Sequence, residues 1–187
     1  QIIKKKTQNK MSCKLSNNIT RDCMYRVAGV KRLYLANFDV ANKYEQDADG
    51  VISAITLGTG QKVYQMEFAD GTAQWTDDLT AGGNSNKYRT HTLTFIMTEY
   101  DTNILKETQA LDLGRYTAFV VDNNNKVVCL GRLNGMVASS DNYASGAAEA
   151  DANGFTIVMA GIEQEVAQLV KDEEIVRALL QPTVVVT

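Results

Sequence analysis

The chain has 187 residues, 44% hydrophobic and 22% charged, which suits one globular domain with short arms and no need of a disulfide or metal to fold. A formal charge of −3 and an isoelectric point near 5.2 argue against a dedicated nucleic-acid binder, which carries a basic face. No run of 18 apolar residues makes a membrane span, and Cys13, Cys23 and Cys129 form neither a C-x-x-C pair nor a zinc spacing.

The charge is unevenly spread. Lys4, Lys5, Lys6 and Lys10 fall in the first ten residues and no acid precedes Asp22; without those four lysines the formal charge moves from −3 to −7. Residues 1–29 therefore read as a polar, basic N-terminal arm ahead of an acidic body. No apolar stretch follows the lysines, so a secretory signal is not expected, and reduced thiols are.

Val30 to Phe38 (VKRLYLANF) reads as the first strand. Tyr44–Gly50 is a turn ending in Asp-Gly. Val51–Leu57 and Gln61–Phe68 flank Gly58-Thr59-Gly60 and read as a hairpin. After Asp70-Gly71, Thr72–Asp78 is a strand anchored by Trp75. Residues 79–86 (LTAGGNSN) are a glycine-rich loop.

Tyr88–Tyr100 (YRTHTLTFIMTEY) is a long strand with clean alternation. Arg89, His91, Leu93, Phe95 and Met97 face one way; Thr90, Thr92, Thr94 and Ile96 face the other. Threonine at alternate positions fits a half-solvated pleated face. Asp101-Thr102 caps the central helix, which ends at Gly114. Arg115–Asp122 and Lys126–Gly131 flank Asn123-Asn124-Asn125 as a tight hairpin, since asparagine tolerates positive φ. Met136–Ser140 is a short strand, Asp141–Asn153 a small-residue loop and Phe155–Ile162 the last core strand. Asp172–Gln181 reads as a short helix stopped by Pro182, with acids in its first turn. Thr183–Thr187 (TVVVT) suits an edge strand added to a neighbour. The expected class is mainly β, a sandwich or barrel-forming domain over 30–167, with one central helix, and a short helix and tail over 168–187.

No catalytic constellation emerges. His91 is the one histidine, on a threonine-rich strand without a nucleophile motif, and reads as structural. Asp47, Asp49, Asp77, Asp78, Asp141, Glu149 and Asp151 read as solvated turn residues. Asp47-x-Asp49-Gly50 resembles the start of a calcium loop but lacks the later ligands. Gly58/Gly60 and Gly82/Gly83 lack the strand-to-helix setting of a phosphate loop. A glycan hydrolase would need a cleft with paired carboxylates, and these acids do not supply one.

Several pieces, in order, resemble a family of phage tail structural proteins, the tail-tube and tail-ring proteins of Bacteroidetes-infecting phages, crAss-like phages included. VKRLYLANF leads to DADGVISAIT; KVYQMEFADGTAQWTDDL precedes GGNSNKYRTHTLTF; LGRYTAFVVDNNNKVVCLGRLNG and SGAAEADANGFTIVMAGIEQE follow the helix. The resemblance spans Met11 to Ala167. It implies a β-sandwich-like subunit of a homo-oligomeric ring, a hexamer or larger. The sheets of such rings close around a channel that passes DNA without binding it specifically. It implies neighbouring tail proteins as partners, assembly in the host cytoplasm into the virion, and no enzymatic activity, cofactor or metal. Expected inter-subunit contacts are Leu79, Gly82, Gly83, Asn84, Asn86, Tyr143, Ser145 and Gly146. Thr90, Thr92 and Thr94 are the expected channel lining, with the opposite face of that strand as the alternative. A non-viral β-rich assembly subunit, such as a surface filament or adhesin module, is the competing reading; a secreted subunit would carry the signal that is not expected here.

Overall fold

The computed structural model describes residues 14–182. Lys4, Lys5, Lys6, Lys10, Cys13 and the edge strand expected at Thr183–Thr187 lie outside the described residues. The chain is mainly β with two helices. In chain order the elements are β1 (Val30–Asn37), β2 (Lys43–Gln46), β3 (Ile52–Thr56), β4 (Val63–Met66), β5 (Gln74–Ala81), β6 (Lys87–Met97), α1 (Thr102–Leu113), β7 (Tyr116–Asp122), β8 (Val127–Leu130), β9 (Val137–Ala144), β10 (Gly154–Glu163), β11 (Gln168–Val170) and α2 (Glu173–Arg177).

Two sheets pack face to face. One has seven strands in the order β2-β3-β11-β8-β7-β1-β4; the other has four, β5-β6-β10-β9. Leu33, Leu35, Ala118, Val120 and Leu130 of the larger sheet meet Leu93, Phe95, Ile157 and Met159 of the smaller in the main core. β7 and β8 are buried on both faces, which is why YTAFVV and VVCL read as unbroken apolar runs rather than alternating ones. Their second face, with Phe119, Val121 and Cys129, forms a further core with Tyr34, Ile52 and Val176 of α2. The burial pushes the Cys129 thiol well above its ordinary pKa.

Local chemistry sets the helix ends. Asp101 accepts hydrogen bonds from the Asn103 and Ile104 amides at 2.7 and 2.9 Å and so caps α1. At its other end the Tyr116 hydroxyl donates to the Ala110 carbonyl at 2.6 Å, and a Cβ on Gly114 would collide with that ring. The asparagine hairpin forms as expected, with Asn125 at φ 60°.

Three sequence expectations are corrected. The strand pair expected across Gly58–Gly60 is not a hairpin: β3 pairs with β2 and β11, while β4 lies at the far edge of the sheet beside β1. A local turn signal marks the turn but not the strand that receives the chain beyond it. Gln168–Val170, expected to open a separate tail, is a strand inside the larger sheet, antiparallel to β8 and parallel to β3. The C-terminal helix stops at Arg177, because the next residues leave it to pair with β4. The Val63 amide donates to the Leu179 carbonyl at 2.9 Å and the Gln181 amide to the Val63 carbonyl at 2.8 Å. α2 thus straps the second face of the sheet from β11 to β4. Its Glu173 pairs with Arg32 and accepts the Tyr34 hydroxyl at 2.6 Å. The guanidinium holds the Glu173 carboxyl below its ordinary pKa, while burial raises Tyr34 to about 12.

Candidate functional site

The four-stranded sheet differs from the larger one in having an open face. On β6, His91, Leu93, Phe95 and Met97 are buried and Thr90, Thr92, Thr94 and Ile96 are half-buried, so the alternation read from the sequence holds. Register carries that division across the sheet. Thr76, Thr92, Ala160 and Val137 lie side by side on the outer face, and Asp78, Thr90 and Ile162 form the neighbouring row. Across all four strands the outward positions hold one charged residue, Asp78, whose carboxylate accepts the Thr76 hydroxyl at 2.7 Å. Arg115 stands at the rim, its guanidinium 5.9 Å from the centre of the Phe38 ring and donating to the Asn134 carbonyl at 3.2 Å.

Among the described residues both edges of this sheet are open. β5 pairs with β6 alone and β9 with β10 alone, and each is a mostly exposed eight-residue strand. Exposed edges of that length offer unpaired amides and carbonyls to a neighbour.

The loops expected to mediate contacts sit at opposite ends of the sheet. The β5–β6 connection leaves after Ala81, which faces Lys87; the β9–β10 connection joins Ala144 to Gly154, at the Met97 end of β6. Gly82, Gly83, Asn84 and Asn86 lie in the first, around a 3-10 turn over Gly83–Ser85 in which Asn84 and Ser85 have positive φ. Ser145 and Gly146 lie in the second, where Asp151 accepts hydrogen bonds from the Ala147 and Ala148 amides at 2.9 and 2.8 Å. Those amides hold the Asp151 carboxyl below its ordinary pKa.

Two of the expected contacts are not loop residues. Leu79 belongs to β5, which runs on to Ala81. Tyr143 belongs to β9, and its ring packs against Tyr100 and Phe155 with centroids 4.8 and 4.9 Å apart while 46% of the residue stays exposed.

Three acids read as turn residues also sit in strands. Asp78 is the outward acid just described. Asp77 faces inward beside His91 and Arg89: Arg89 donates to its Oδ1 at 2.5 Å and the Ala167 amide to its Oδ2 at 3.0 Å. Asp141 is opposite Ile157 on β9, where burial and the neighbouring Asp112 carboxylate raise it to about 6. The Asp47 carboxylate, by contrast, closes its own turn, accepting from the Asp49 and Val51 amides, both at 3.0 Å.

His91 is a core residue. The Gly131 amide donates to its Nδ1 at 3.2 Å, which leaves the ring proton on Nε2, 3.5 Å from Asp77 Oδ1 and outside hydrogen-bonding geometry. Glu163 is fully buried nearby and accepts from the Asn134 amide at 2.9 Å; burial raises its pKa. These groups hold the turn between β8 and β9 onto the end of the sheet. His91, Asp77 and Glu163 line neither the groove beside β4 nor the one on the outer sheet face, although Asn134 borders the latter. Among the described residues no three His, Cys, Asp or Glu side chains converge as metal ligands, and no helix is long and apolar enough to cross a membrane.

Sequence reasoning missed Asp77 because two consecutive aspartates look like a turn. The signal was available only through register, which sets Asp77 opposite His91. Neither a protein-family model nor a curated protein matches this chain.

Proposed function

We propose that this protein is a structural subunit of a phage tail. It self-assembles into a ring or tube whose channel wall is the four-stranded sheet and through which DNA passes. One observation carries the reading: a sheet with one face in the core, a nearly uncharged threonine-rich face outward, and long open edges on both sides. When β5 of one copy pairs with β9 of the next, the sheet continues around a closed barrel and both edges disappear. In a sixfold ring, four strands per copy give about 24 strands, and their spacing and tilt set a barrel roughly 45–50 Å across, backbone to backbone. Thr90, Thr92 and Thr94 then face the channel. The outward strand positions carry no lysine or arginine and Arg115 stands only at the rim, so the wall offers little phosphate-binding charge and DNA slides along it rather than sticking. The loops at opposite ends of the sheet lie at opposite rims of such a ring, where stacked rings meet. No step in this role requires a catalytic group or a cofactor.

Negative-stain electron microscopy of the purified full chain, with native mass of the same sample, tests the reading. Closed rings or tubes with a central hole are expected. Replacing residues 82–86 by a two-residue turn is expected to leave rings that do not stack. A strictly monomeric protein, or open irregular chains, overturns the proposal.

A further inference from the structure

Two features of the described chain stand exposed in a single copy. The first is the segment before β1. Every residue from 14 to 29 is exposed and none is in a helix or strand. Leu15 is 88% and Ile19 91% exposed, and Met24, Tyr25 and Val27 are exposed with them. The segment is tied down at its end, where the Val27 amide donates to Asn124 Oδ1 at 3.1 Å and Asn123 Nδ2 to the Ala28 carbonyl at 2.7 Å. Five large apolar side chains on one short stretch, turned to water, mark a surface that another surface covers.

The second is a groove between β4 and α1, a cavity of about 540 Å³. Its apolar wall includes Met66, Phe68, Met97 and Ile104. Its acids are Glu67, Glu99 and Glu107, and no basic residue lines it. Beside it runs the outer edge of β4, which beyond Val63 has no backbone partner among the described residues. Val63 bonds to residues 179 and 181 on that side, so the amide and carbonyl of Gln65, two residues on, point the same way, alongside the groove.

The two features match in charge as well as in polarity. Residues 14–29 carry Lys14, Arg21 and Arg26 against the single acid Asp22, a net +2, while the groove carries three carboxylates. We infer that the segment of residues 14–28 of one copy docks in the β4–α1 groove of a second copy, its apolar side chains against Met66, Phe68 and Ile104 and its basic residues against Glu67, Glu99 and Glu107. Segment and groove are different surfaces of the same chain, so the contact is head-to-tail and propagates around a ring or along a stack. Opposite charge sets which way the segment lies in the groove and speeds its capture. The inference rests on the self-assembly proposed above but not on a viral tail.

Disulfide trapping tests it on the full chain. One copy carries Cys13→Ser and keeps the exposed Cys23. A differently tagged copy carries Cys13→Ser, Cys23→Ser and Gln65→Cys. Mixed under mild oxidation, the two are expected to give a disulfide-linked dimer containing both tags, at least tenfold above a control with Glu45→Cys on the exposed β2 strand in place of Gln65→Cys. Reversing Glu67, Glu99 and Glu107 to lysine should cut the yield at least tenfold, and reversing Lys14, Arg21 and Arg26 to glutamate in the other copy should restore it.

No mixed dimer, or one insensitive to both charge reversals, overturns the inference. So does a disulfide that forms only within one chain when Cys23 and Gln65→Cys share it. A link between Gln65→Cys and a cysteine at Val185 that excludes the Cys23 link identifies residues 183–187 as the occupant and overturns it too. Closed rings without the Cys23 link refute this contact alone; the link in open chains without rings refutes the tail reading alone.

Discussion

The two sheets are built from similar strands but finished differently. The seven-stranded sheet has apolar residues on both faces, and both are covered: one by the smaller sheet, the other by α2 and the residues packed around it. The four-stranded sheet has a buried core face, and an outer face rich in threonine, alanine, valine and isoleucine that no described element covers. A chain that spends a helix to cover one sheet and leaves the other bare has divided its labour. The covered sheet holds the fold together, and the bare one is the face that the proposed assembly would use.

Substitution on the two sheets should separate these roles. Phe119→Ala, in the fully buried second face of the large sheet, is expected to cost about 4 kcal/mol in equilibrium urea unfolding. Thr92→Ala on the bare face should cost under about 0.5 kcal/mol. Equal losses at the two sites would mean that the outer face is held by contacts within the monomer.

Two carboxylates, one in each region, sharpen the comparison because their pH responses have opposite signs. Glu173 is depressed in the folded state by Arg32, so its stabilisation is present above its unfolded pKa and is lost as pH falls through the folded value. Glu173→Gln is therefore expected to lower stability by about 1 kcal/mol at pH 7, allowing for the partly exposed pair, and the difference should fade on acidification. Asp141 is raised to about 6 beside Asp112, so the folded protein holds a proton that the unfolded chain has already released. That carboxyl costs stability as pH climbs from about 4 to about 6, and the cost persists above it. Asp141→Asn is expected to stabilise by about 1 kcal/mol at pH 7.5 and to make no difference near pH 4. Melting temperatures of wild type and both variants at three pH values check the two signs. Acid should loosen the strap on the large sheet while easing the repulsion between α1 and β9. Parallel responses would show that the pairing of Glu173 with Arg32, or of Asp141 with Asp112, is wrong.

The parts legible in the sequence are those written in local periods. The two faces of β6, the asparagine hairpin and the capped helix follow from side-chain alternation, turn chemistry and an aspartate at an N-cap. So does the fold class. The rest depends on pairings between distant segments, which no window of ten residues contains. Nothing in VISAITL says that its partner is QLV, more than a hundred residues later, and nothing in TDD says which aspartate will meet His91. The outer threonine face could be drawn from the sequence, but that it is left uncovered could not, because that depends on where α1 and α2 go. Residues 15–27 have the composition of a polar linker, and the exposure of Leu15, Ile19 and Tyr25 depends on where the rest of the chain packs.

The position of β11 bears on how the protein comes into being. Val170 pairs with Ile52 on one side and Val127 on the other, so a segment that leaves the ribosome after ten other strands completes the interior of the larger sheet. Until then β3 and β8 have no common neighbour, and the contacts that join them span most of the chain, which makes folding slow and late. A nascent or prematurely terminated chain would lack this interior strand and the strap that follows, and would leave the larger sheet split between β3 and β8. The topology thereby acts as proofreading of the fold: only a chain made through β11 and α2 completes the larger sheet.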